Sequence, residues 1–126
     1  MLFRSTGRTS KTAALLSSYE HCGYASMMTT ISVPPPTATA GPAVKYWVKG
    51  ALATGGSFYT SYGASITTLS TTWEQRTTCF PPTLANRAAT LSFSVYGGGG
   101  TCGQGGLSSA TVDDVEVTTD PSCPVK

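Results

Sequence analysis

Hydrophobic and polar residues alternate over residues 88–96, where Ala89, Leu91, Phe93 and Val95 occupy every second position and Thr90, Ser92 and Ser94 lie between them. A period of two predicts a β-strand with one packed face and one wet face. Residues 110–118 are extended again, but an acidic pair, Asp113-Asp114, falls in mid-strand. Adjacent aspartates repel each other and are depleted in strands, so the pair predicts either a ligand such as a cation or a bulge. Between these runs lies the glycine-rich loop 97–106.

The same alternation predicts five earlier strands. Residues 1–12 read as a polar loop and 12–18 as a first short strand, followed by a turn over 19–23 that holds His21 and Cys22. Residues 24–33 form a second strand whose inward face the pattern does not fix, and Pro34-Pro35-Pro36 ends it because proline cannot donate to a ladder. A third strand covers 43–49, with Val44, Tyr46 and Val48 on one face and Lys45, Trp47 and Lys49 on the other. Residues 57–63 and 73–80 make the fourth and fifth, the latter closed by Pro81-Pro82. Seven strands at this spacing, with no helical period, predict an all-β fold: an antiparallel β-sandwich or jelly roll.

A chain of 126 residues is long enough for one two-layer core. Its 36 Ser and Thr residues interleave with aliphatic and aromatic ones, the composition of hydroxyl-coated sheets. The net charge is +2 and the basic residues are scattered, so there is no stripe to neutralise phosphates and nucleic acid is not an expected partner. No apolar run is long enough to cross a membrane as a helix, and none is expected to engage one. Residues 1–18 lack the apolar core of a signal peptide, and their basic, hydroxyl-rich composition is read as domain interior rather than as a transit peptide.

The four cysteines, Cys22, Cys79, Cys102 and Cys123, show no CxxC spacing, which argues for two disulfides in an oxidising compartment rather than a zinc site. Three pairings are open to them. Cys22 with Cys79 and Cys102 with Cys123 is the expected one, because it joins strands expected to be neighbours. Enzyme chemistry finds little footing. His21 is the sole histidine, no GxSxG elbow is present, and six carboxylates offer no evident acid and base pair. The glycine loop lacks GK[ST] and opens no helix, so it reads as a connection and not a phosphate cradle. Asn86 is followed by Arg87-Ala88, which is no glycosylation sequon.

Taken in order, several segments are similar to a known family. Residues 8–15 (RTSKTAAL) resemble an "aHSGsyAlrl" strand, 27–34 (MMTTISVP) an "isQtvtvp" strand, and 44–50 (VKYWVKG) a "ytlsfWarg" strand. Residues 69–78, with Trp73 at the centre, resemble "lttsWqrytvt", 89–95 resemble "atlrfsl", and 112–117 (VDDVEV) resemble the closing "lyiDDVsl", the most specific of the set. These are marks of the carbohydrate-binding modules of families 4 and 9, β-jelly rolls of galactose-binding-like fold.

The resemblance implies a non-catalytic module of a secreted, extracellular protein that binds a polysaccharide or oligosaccharide, with an appended catalytic domain in the full-length protein. It implies a structural calcium, with Asp113 as a ligand because it matches the first Asp of the motif. Such modules grip sugars by stacking aromatic faces on the pyranose ring while amides and charged groups bond the hydroxyls. Trp47, Tyr59 and Tyr62 are the candidate platforms, with Gln75 and Arg76 as polar partners, while Tyr46, Trp73 and Phe93 are assigned to packing. The family opens with a strand bearing an "NGgFE"-like motif that this chain lacks, so either the chain is an N-terminal truncation or another segment covers that sheet edge. The loop 97–106 and Cys22 depart from the general pattern and imply a disulfide-bearing subgroup. The rival reading is a structural or adhesive extracellular β-sandwich of the same fold with no sugar site.

Overall fold

The computed structural model describes residues 13–126; the expected loop over 1–12 and the start of the first strand lie outside the described residues. Seven strands follow one another: β1 (Ala14–Glu20), β2 (Tyr24–Ser32), β3 (Gly41–Ala51), β4 (Ser57–Thr60), β5 (Glu74–Cys79), β6 (Ala88–Tyr96) and β7 (Gly105–Asp120). One 3-10 turn, Pro82–Leu84, is the only helical element among the described residues. Strands β1, β7, β3 and β5 form one antiparallel sheet in that order, and β2, β6 and β4 form the other.

The two sheets are held face to face by the apolar half of each alternation. Val44, Tyr46 and Val48 of β3 and Ala110 and Val112 of β7 point inward from one sheet, and Leu91, Phe93 and Val95 of β6 and Phe58 of β4 from the other. Tyr46 meets Phe93 edge-on with ring centroids 5.1 Å apart, and Phe58 stacks on Phe93 at 6.3 Å. The register Met27↔Phe93 decides the ambiguous second strand: Ala25, Met27 and Ile31 pack inward, and Tyr24, Ser26 and Met28 face solvent.

Strand β7 begins five residues earlier than its alternation predicts, because Gly105 and Gly106, which give no periodic signal, already pair in the sheet. The acidic pair is a bulge. Lys45 pairs with Glu116 and Trp47 with Asp113, so Asp114 and Val115 together oppose Tyr46, and Asp114 takes a φ of 50°. An extra residue in one strand leaves a kink that αL-tolerant aspartate accommodates.

The expected cysteine pairing is overturned: Cys22 bonds Cys102 and Cys79 bonds Cys123. The sixteen residues of β7 separate Cys102 from Cys123. At about 3.3 Å per strand residue they span roughly 50 Å, far beyond the reach of a disulfide. Each bond therefore pins one end of the sandwich. Cys22–Cys102 ties the β1–β2 turn to the glycine loop, and Cys79–Cys123 ties β5 to the C-terminal tail. At that second end Gly41 lies so close to the tail that a methyl group there would collide with the carbonyls of Pro124 and Cys123.

Candidate functional site

The residues proposed from sequence do not share one surface. Trp47 and Gln75 sit directly opposite each other in the β3–β5 register, on the outward face of the four-stranded sheet with Lys45 and Lys49. Arg76 pairs with Tyr46, whose ring is in the core, so it lies on the inward side. Its guanidinium meets Glu74 at 3.3 Å, while its Nε is buried without a hydrogen-bond partner. Adjacent strand residues face opposite ways, which is why Gln75 and Arg76 cannot serve the same side of the sheet.

Tyr59 pairs with Ser94 on the outer face of the other sheet, across the sandwich from Trp47. Tyr62, just past β4, has a φ of 69° and packs edge-on against Phe80 at 5.6 Å. Trp73 is half-buried, with the Lys49 ammonium 4.9 Å from its ring centroid. Tyr46 and Phe93 are core residues, as assigned.

Asp113 is buried beside Trp47, and Trp47, Asp113 and Asp114 each have an interaction partner. Among the described residues no three His, Cys, Asp or Glu side chains converge.

Two exposed aromatic residues that line one cleft lie at the Cys22–Cys102 end. Tyr19, near the end of β1, is 72% exposed and Tyr24, opening β2, is 65% exposed, and both line one cleft of about 340 Å³. Ser17, Ser18, Glu20, Gly23 and Gly103 also line it. The two tyrosines flank the turn through which the chain passes from one sheet to the other, so both residues lie at the same edge of the sandwich.

The far wall is the glycine loop, and its position is strongly determined. His21 N–H donates to the Gln104 carbonyl, Cys22 N–H to Gly98, Gly103 N–H to His21 and Gly97 N–H to Gly23. Gly97 comes so close to the Glu20 carbonyl that a Cβ there would overlap it. The His21 ring fills the space left by the missing side chains of Gly100 and Gly106, which turns it into the loop.

From the cleft an aromatic band continues over the three-stranded sheet. The Tyr24 and Tyr96 rings stand 5.1 Å apart on paired residues, and Tyr59 is the diagonal neighbour of Tyr96 on the next strand. Two strand spacings make the band about 10 Å wide. Ser26 and Ser94, hydrogen-bonded at 2.9 Å, lie beside it, and no charged side chain of β2, β4 or β6 faces outward here. Sequence reasoning found Tyr59 but not Tyr19 or Tyr24. Their signal was their position on either side of a cysteine-bearing turn.

These features define an antiparallel β-sandwich stapled by two disulfides, which places it in an oxidising environment. Among the described residues no helix is long and apolar enough to cross a membrane. No family model, curated protein or solved structure matches the chain.

Proposed function

We propose that the protein is a secreted, non-catalytic carbohydrate-binding module of galactose-binding-like jelly-roll type, and that it takes its saccharide in the cleft between Tyr19 and Tyr24. The observation that carries this reading is that Tyr19 and Tyr24, the most exposed aromatics among the described residues, line one cleft together with hydroxyl and carboxylate acceptors. A pyranose offers an apolar C–H face to an aromatic ring and hydroxyls to polar walls, and the cleft volume falls in the range of small-ligand sites. The band through Tyr96 and Tyr59 has room for about two further sugar units at roughly 5 Å each, judged against its two strand spacings. A structural calcium held by Asp113 belongs to the same proposal, on the strength of the closing VDDVEV segment alone.

Affinity electrophoresis and calorimetry on glucans, xylans and mannans test it. Retardation that Tyr24→Ala abolishes supports the cleft; no binding to any of them rejects the reading. The rival, an adhesive or structural sandwich without a sugar site, draws on the dispersal of Trp47, Tyr59 and Tyr62 over separate surfaces. It predicts no saccharide binding and unchanged behaviour in the Tyr24 variant. A melt in EDTA against millimolar calcium tests the ion; an identical Tm in both removes it.

A further inference from the structure

We infer that the cleft is built for a saccharide bearing a positive charge, a polymer of amino sugars with free ammonium groups, an assignment that rests on the carbohydrate-binding reading. Among the described residues, Glu20 is the only charged one on the cleft walls. Three of the described cations are engaged elsewhere: Lys45 with Asp120, Arg76 with Glu74, and Lys49 with the Trp73 ring. No cationic side chain among the described residues pairs with the Glu20 carboxylate.

The two rings reinforce the same preference. An aromatic face has a negative quadrupole that attracts a cation, and the exposed Tyr19 and Tyr24 line the same cleft as Glu20. His21 follows Glu20 in the chain, but its ring is turned into Gly100 and Gly106, so it does not line the cleft. The opposite wall at Gly103 offers backbone alone. An ammonium group in the cleft thus has a carboxylate and two exposed tyrosines beside it and no cation among the described wall residues, whereas a neutral sugar at the same place uses the carboxylate only as a hydroxyl acceptor.

Calorimetry on the whole chain at pH 5.5, with glucosamine oligomers, their N-acetylated counterparts and cello-oligosaccharides of equal length, reads the difference directly. The glucosamine oligomer should bind about tenfold more tightly than the other two, the scale expected of one partly exposed ion pair with cation–π support. Glu20→Gln should remove that preference without lowering Tm, and 1 M NaCl should weaken it. Equal affinity for the three oligomers, or a preference that survives Glu20→Gln, overturns the inference while leaving the carbohydrate reading intact. Binding of choline in place of any saccharide overturns it too, in favour of a quaternary-ammonium site. Failure of every ligand rejects the carbohydrate reading itself.

Discussion

At Asp114 a single backbone angle decides what a side chain may be. Its φ of 50° lies in the left-handed region, where Asp and Asn are tolerated and β-branched residues are strained by roughly 1–2 kcal/mol. Asp114→Val should therefore lower stability by more than Asp114→Asn, measured by urea denaturation; equal losses would deny the bulge its role. Asp120 offers a second case. The Lys45 ammonium, 2.8 Å away, and then the Ser122 hydroxyl and N–H hold its carboxyl well below the usual carboxylate range, and the carboxylate in turn raises Lys45. A carboxyl depressed in the folded state stabilises the fold above its ordinary value of about 3.9, and that contribution is lost as the pH falls toward the depressed value. Asp120→Asn should lower Tm modestly at pH 7, and the gap to the wild type should narrow steadily below pH 4. The sequence showed the Asp113-Asp114 pair as an interruption and left its cause open; it held no sign of the Lys45–Asp120 pair, which depends on β3 and β7 lying side by side.

The glycine loop shows how an element without regular structure is fixed from outside. Four backbone hydrogen bonds, the Cys22–Cys102 bond and the His21 ring hold residues 97–106 against the β1–β2 turn. Gly97→Ala should disrupt this packing, since the added methyl meets the Glu20 carbonyl, and saccharide affinity should fall at the cleft that Glu20 lines. The two disulfides differ in access. Cys102 is exposed while Cys123 is buried. Mild reduction followed by alkylation and mass spectrometry should label Cys22 and Cys102 before Cys79 and Cys123; the reverse order would contradict the burial. Loss of either bond by Cys→Ser should cost about 2–5 kcal/mol, as expected for loops of this length. Strand positions were legible because alternation is a local property of the chain. The early start of β7 and the short β4 were not: glycines give no period, and the chain after Thr60 turns away at Tyr62 although its residues still alternate.

Across the whole molecule the sandwich sorts side chains into an interior and two outer faces that point in opposite directions. The aromatic cluster Tyr46, Phe58 and Phe93 spans the sheets, and Phe93→Ala should cost about 3–5 kcal/mol in denaturant unfolding, the usual penalty for an aromatic cavity. The same sorting separates Trp47 from Tyr59. Trp47→Ala should leave saccharide binding at the cleft within about twofold of wild type, while Tyr19→Ala or Tyr24→Ala should weaken it at least about tenfold, the scale of one lost stacking contact. A large loss with Trp47→Ala would move the site to the four-stranded face.

By itself the sequence determined the alternating strands, the all-β class, the aromatic core at Tyr46 and Phe93, and that all four cysteines would be oxidised. Each of these follows from residue type and from spacing of a few positions. The cysteine partners, the direction each strand turns its aromatic rings, and the meeting of Tyr19, Glu20 and Tyr24 at one edge were decided by tertiary structure, because they depend on which strands become neighbours and at which end of the sandwich each turn lies. A period of two says that a residue has a face; only the packed sheets decide what that face looks upon.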